Sequence, residues 1–181
     1  MAIYIRRAQT ADLPQIAMLI EDAKQVLRDQ DNPQWQDGHP EVKTMRNDID
    51  RGYSWVLVNG NQIVGTAVLQ LLAEKNYDEI TDGQWAAPDE PYAIIHRLTI
   101  DQNAGDQHLG SLFLSNLLTV GYLQGVRNFR YDTHAKNIPM QKLGEGMGFV
   151  KRGTVYIKDD TDPEHLGYEL RLDGDCTVVS N

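Results

Sequence analysis

The residues able to do chemistry gather in a few short stretches. His96 and His134 are of the type that gives and takes protons near neutral pH, and Asp132 is placed to orient an imidazole or to neutralise Arg97. Leu98 to Ser111 reads Leu-Thr-Ile-Asp-Gln-Asn-Ala-Gly-Asp-Gln-His-Leu-Gly-Ser, a strand that runs through a loop into a helix start. Unpaired backbone N–H groups at such a start, aided by the helix dipole, attract an anion, and glycines let a phosphate come close. The same pattern also serves as plain connection. It lacks the Gly-Lys-Ser/Thr of a P-loop and the glycine spacing of a dinucleotide fingerprint. Tyr77, Asp78, Glu79 and Trp85 could line a pocket for a cation or simply anchor and solvate a loop, and Trp35-Gln36-Asp37 poses the same choice.

These residues need a scaffold, and the periodicities supply one. Ile3 to Arg7 alternates as a strand, Thr10 is placed to cap a helix, and Leu13, Ile16, Ala17, Ile20 and Leu27 form its apolar stripe. A polar break from Asp29 to Pro40 precedes a second helix with Val42, Met45 and Ile49, ended by Gly52. Tyr53 to Val58 and Gln62 to Leu72 flank Asn59-Gly60-Asn61, the signal of a hairpin. Ala73 to Pro91 is a long aromatic connection, a binding or packing loop. A strand from Tyr92 to Ile100, a helix carrying Leu109 to Val120, a strand from Phe129 to Thr133 and a short helix from Pro139 to Glu145 follow. Two closing strands, Phe149 to Ile157 and Leu166 to Leu172, flank the turn-forming Asp159 to Pro163. That order predicts a mixed sheet with helices on both faces.

At 181 residues the chain suits a single domain, here 1–173, followed by a short tail over 174–181 that holds the one cysteine, Cys176. A formal net charge of -9 argues against non-specific nucleic-acid binding. The apolar runs are too short to cross a bilayer and the first residues lack a signal-peptide layout, so a cytoplasmic protein without membrane contact is expected.

On the loop and on a second stretch the sequence resembles the GNAT family of acetyl-CoA-dependent N-acetyltransferases. The family's pyrophosphate loop reads Gln/Arg-x-x-Gly-x-Gly/Ala after a central strand. Anchored on Leu109-Gly110-Ser111, its last glycine is Gly110, while His108 and Gly105 stand where the family has its middle glycine and its leading Arg or Gln. The second stretch runs from Asp132 through Asn137 to Gly148-Phe149 and looks like the family's fifth strand, short helix and closing Gly-Phe pair. Ile5 to Pro14 looks like its first strand and helix start.

The resemblance implies an α/β (α+β) single-domain, GNAT-like fold with a mostly antiparallel sheet of about seven strands. It implies acetyl-CoA as cofactor, bound by the backbone of Leu98 and Ile100, by Asp106, Gln107, His108, Leu109, Gly110 and Ser111 under the pyrophosphate, and by Asn137 on the pantetheine arm. Asn137 could equally be a helix cap before Pro139. The Leu98 N–H is the implied oxyanion donor, and His96 and then His134 are candidates for the base, each with a structural role as the alternative. The tyrosine that usually protonates the leaving thiolate falls on Gly144, which leaves unassisted departure, a water, or a hydroxyl such as that of Tyr156. Trp35, Tyr77 and Trp85 are acceptor-side candidates, and no metal is implied. The expected partner is a small-molecule amine, with a homodimer as a possible assembly. A protein N-terminus or lysine is the alternative acceptor, and a non-catalytic CoA sensor the alternative class.

Overall fold

The computed structural model describes residues 1–105, 108–158 and 162–172. The proposed tail, Cys176, and the loop residues Asp106 and Gln107 lie outside them. Seven strands form one sheet: β1 (Ile3–Arg7), β2 (Ser54–Asn59), β3 (Gln62–Gln70), β4 (Tyr92–Ile100), β5 (Asn128–His134), β6 (Val150–Tyr156) and β7 (Glu164–Arg171). Their order is β1-β2-β3-β4-β5-β7-β6, and every neighbouring pair is antiparallel except β4 with β5. The parallel pair requires a crossover, which α3 (Leu109–Leu123) provides.

Alternation along β2 assigns the helices to their faces. Val56 and Val58 pack with Leu13, Ile16 and Ile20 of α1 (Leu13–Asp29) and with Met45 and Ile49 of α2 (Val42–Asp50). Leu57, between them, points to the opposite face and joins the core built by Phe113, Leu114 and Leu117 of α3. Met140 and Leu143 of α4 (Ile138–Gly146) pack against that second core, so helices cover both faces as the element order predicted.

The chain enters α1 through a 3-10 turn at Thr10–Asp12. Gln9, rather than Thr10, holds the cap position, with Asp12 Oδ2 accepting from the Gln9 N–H at 2.7 Å. The acidic side chain two residues into the turn outcompetes the hydroxyl because Arg6 also fixes it, at 2.6 Å. The hairpin turns at Gly60, whose φ of 61° is the left-handed conformation that the Asn-Gly signal predicts.

The long connection after β3 packs against the sheet. Tyr77 and Trp85 stack with ring centroids 5.9 Å apart, and Trp85 donates to the Tyr77 carbonyl. Arg130, fully buried on β5, lies between the Trp85 and Tyr92 rings and pairs with Glu169 of β7. Among the described residues, no helix is long and apolar enough to cross a membrane.

Candidate active site

β4 and β5 pair in register only where Tyr92, Ala93 and Ile94 face Asn128, Phe129 and Arg130. Both strands continue beyond that point without pairing, so the sheet splits and the gap opens as a cleft. A cavity of ≈ 520 Å³ occupies it, walled by Ile95, Arg97, Leu98, Thr99 and Ile100 of β4, by Tyr131, Asp132 and Thr133 of β5, and by Asn137, Pro139, Met140 and Leu143 around α4. The side chains of α1 and of the segment that follows it close the other wall.

The lip of the split on β4 is irregular. His96 faces Val68 and Thr99 faces Thr66, so Arg97 and Leu98 together stand opposite the single Ala67. Arg97 has a φ of 52°, unusual for a residue with a side chain, and the extra residue interrupts the ladder at the edge of the cleft, which Arg97 and Leu98 both line. Asp48 of α2 holds the Arg97 guanidinium at 2.6 Å from its carboxylate. Burial pushes the Asp48 carboxyl above the usual carboxylate range despite the pull of that cation.

On the far side of the bulge lies a second, polar cavity of ≈ 390 Å³. It shares Gln34, Trp35, Arg97 and Asp132 with the first, so these four residues mark where the two spaces meet. Trp35 also has positive φ, 65°. Its segment is pinned by Lys24, a buried lysine whose Nζ donates to the carbonyls of Gly38 and Pro40. Gln34 accepts from the Asn137 side-chain amide at 3.0 Å, which ties this segment to α4.

Two histidine–carboxylate pairs line the polar cavity. His96 Nε2 lies 3.1 Å from Glu74, and His165 Nδ1 lies 2.5 Å from Asp132, whose other oxygen accepts from the Tyr77 hydroxyl. Burial pushes both carboxyls up, but the hydrogen bond and charge of the partner histidine prevail in each, and both end below the usual range. The Tyr77 phenol moves the other way: burial first, then the neighbouring Asp132 charge, drive it well above its ordinary value.

The residues expected from the sequence are distributed as follows. Leu98, Ile100 and Asn137 line the larger cavity, and the Asn137 carboxamide also caps α4 by accepting from the Met140 N–H at 3.3 Å. His108 is the cap residue of α3, with Gly110 and Ser111 in its first turn, while Leu109 is turned into the core. Asp106 and Gln107 lie outside the described residues. His96 and Trp35 face the polar cavity.

Tyr77 and Trp85 do not line either cavity, because both rings are consumed in packing the long connection and Tyr77 acts through Asp132. His134 does not line one either: its Nδ1 accepts from the Lys136 N–H and its Nε2 lies 3.0 Å from Asp162. Tyr156 is 63% exposed on β6, away from the cleft. His165 and Glu74 were missed from the sequence. Period-2 alternation held the signal for His165, since His165, Gly167 and Glu169 share a face of β7 and are paired in register with His134, Asp132 and Arg130 of β5.

The model of the acetyltransferase (GNAT) family matches residues 20–149 of the chain. A GNAT-family acetyltransferase from Streptococcus agalactiae 2603 is 29% identical, with a TM-score of 0.85 over 94% of this chain and 96% of that one. A GNAT-family acetyltransferase from Listeria monocytogenes 4b F2365 shares the fold at 16% identity and TM-score 0.72, covering 94% and 95% of the two chains. The PaiA N-acetyltransferase of Thermoplasma acidophilum, solved with coenzyme A, shares it at 18% identity and TM-score 0.68, covering 94% and 99%. No curated protein matches the chain in sequence. A split between parallel strands, a bulged lip and a family match across most of the chain agree, and the chain belongs to the GNAT family of acetyltransferases.

Proposed function

We propose that this protein transfers the acetyl group of acetyl-CoA directly to a primary amine of a small molecule. The observation that carries the reading is the junction at the Arg97–Leu98 bulge, where the larger cavity, of mixed apolar and polar lining, meets a polar one that holds paired histidines and carboxylates. The residues fit the cofactor: Leu98, Ile100, Met140 and Leu143 offer apolar walls for a slender arm, and Gln34 and Asn137 offer amide groups along it. The first turn of α3 leaves backbone N–H groups without helical acceptors, which suits a pyrophosphate. When bound, acetyl-CoA supplies an activated acyl group as a thioester.

The chain's own groups do the rest. Asp37, Glu74 and Asp132 draw a cationic amine into the polar cavity. His96, steadied by Glu74, takes the proton that the amine must lose to attack. The backbone N–H of Leu98 donates to the oxygen on which negative charge develops. The polar cavity is of the size that holds small molecules, which favours such an acceptor over a protein segment.

Incubation with acetyl-CoA and a panel of primary amines, read by thiol release and by mass of the product, tests the reading. We expect N-acetylated product in proportion to thiol with at least one amine. Tight acetyl-CoA binding without turnover on any amine, or turnover only on peptides, would overturn it.

A further inference from the structure

Gln34 is one of the four residues that line both cavities, and it is buried, with 7% of its surface exposed. A chain of bonds that starts on a backbone donor fixes which way its carboxamide faces. The Met140 N–H can only donate, so the Asn137 atom that receives it is the oxygen Oδ1. That leaves Asn137 Nδ2 as a donor, and the atom it meets at 3.0 Å is the Gln34 oxygen Oε1. The Gln34 nitrogen Nε2, on the other arm of the carboxamide, is thereby turned away from Asn137. Among the described residues nothing accepts from Nε2, yet this atom is not sealed in the protein as Asn32 Nδ2 and the Tyr131 hydroxyl are. The main chain is held as well, since the Gln34 N–H donates to Asn32 Oδ1 at 3.0 Å and its carbonyl accepts from Gln36 Nε2 at 3.2 Å. At the junction Arg97 is already engaged by Asp48, Asp132 accepts from Tyr77, and the Trp35 indole is anchored by no hydrogen bond among the described residues. Gln34 is the neutral donor that the fold fixes there.

We propose that Gln34 is a catalytic residue whose Nε2–H donates to the carbonyl oxygen of the acyl group in transfer, as a second donor beside the Leu98 N–H. The assignment rests on the acetyl-transfer reading above. Location selects this oxygen: an amine in the polar cavity can reach the acyl carbon only where the two cavities meet, and Gln34 stands at that meeting. The bonds and protons balance without another reactant. As the amine nitrogen bonds to the acyl carbon, the carbonyl π pair moves onto oxygen, where the Gln34 and Leu98 donors hold it. That pair returns as the carbon–sulfur bond breaks, and sulfur keeps the electrons of the broken bond. The amine proton passes to His96 and then to solvent, and the thiolate takes one proton from solvent. Gln34 neither gains nor loses a proton. A donor already held in place needs no reorganisation when the charge develops, which is what makes such a group effective.

The test uses the full chain with acetyl-CoA and no amine, and reads the stretching frequency of the bound thioester carbonyl. Subtracting infrared spectra of complexes with ordinary acetyl-CoA and with acetyl-CoA carrying heavy carbon at that atom isolates the band. Gln34→Glu keeps an oxygen for Asn137 but replaces the donor by a second oxygen, and Gln34→Met removes both. The spectra are taken at about pH 8, well above the usual glutamate range. Both variants should show the carbonyl at higher frequency than the wild type, because a carbonyl that loses a donor is less polarised. With amine present, both should lower kcat by about 10²–10³-fold, the usual worth of one such donor. A role confined to holding Asn137 would leave Gln34→Glu with the wild-type frequency and kcat. The wild-type frequency in folded Gln34→Glu would therefore overturn the proposal, and if that variant does not fold, the same result in Gln34→Met would. Failure of the wild type to bind acetyl-CoA at all would overturn the acetyl-transfer reading instead.

Discussion

His96 and Asp132 illustrate how far a residue's type predicts its task. Both titrate in principle, but Asp132 is fixed between the Tyr77 hydroxyl and His165, whereas His96 keeps one carboxylate partner and faces the polar cavity. We therefore expect His96→Ala to lower kcat by about 10²–10⁴-fold, the usual worth of a general base, with little change in acetyl-CoA affinity. Asp132 and Glu74 are held below the usual carboxylate range, so both remain ionised above about pH 5. An acid limb of the rate profile above that pH must come from another group. Loss of that limb in His96→Ala assigns it to His96, and an unchanged profile removes His96 from the chemistry. His165 was not legible in the sequence because its partner Asp132 is far away along the chain. The alternation of β7 placed it on a face, but only the β5–β7 register brings the two together.

Among the elements, the helices, the hairpin and β4 were readable from period and turn chemistry, and β4 runs from Tyr92 to Ile100 as expected. The β4 bulge was not. It arises from how β3 and β4 fit each other over an intervening loop, and no local pattern at Arg97 signals a positive φ. The long connection was legible as an aromatic loop that binds or packs, and the choice between the two was not, because its packing anchor is Arg130 on a later strand. The start of α3 carries a prediction of its own. Gly110 stands in the first turn, where its absent Cβ leaves only ordinary contact with Leu143 of α4. Gly110→Asp fits sterically but places a negative charge where a pyrophosphate is to be bound, so calorimetry should show acetyl-CoA affinity reduced at least tenfold. Unchanged affinity in the folded variant would move the pyrophosphate elsewhere.

The whole molecule is a sheet held open on one side and locked on the other. Pairing between β5, β7 and β6 carries the buried Arg130–Glu169 ion pair, with Asn128 and the Ala86 N–H also bonded to Glu169. Removing one partner of such a pair leaves the other charged and desolvated, so Glu169→Ala should cost about 3–5 kcal/mol in denaturant unfolding. A loss below about 1 kcal/mol would mean that the lock is not structural. Asp132 adds a pH dependence. Its folded pKa lies below its unfolded one, so its contribution is complete above about pH 4 and is lost as pH falls towards the depressed value. Asp132→Asn should therefore flatten the acid side of the stability profile.

The claim on which the rest depends is direct transfer at the junction of the two cavities. Rapid mixing of the protein with acetyl-labelled acetyl-CoA and an accepted amine, followed by mass analysis of both protein and small molecules, tests it in one measurement. Direct transfer predicts label appearing in the N-acetylated amine in step with free thiol, and none carried by the protein at any time. Label accumulating on the protein before it reaches the amine would contradict direct attack and require a nucleophile that this site does not provide for.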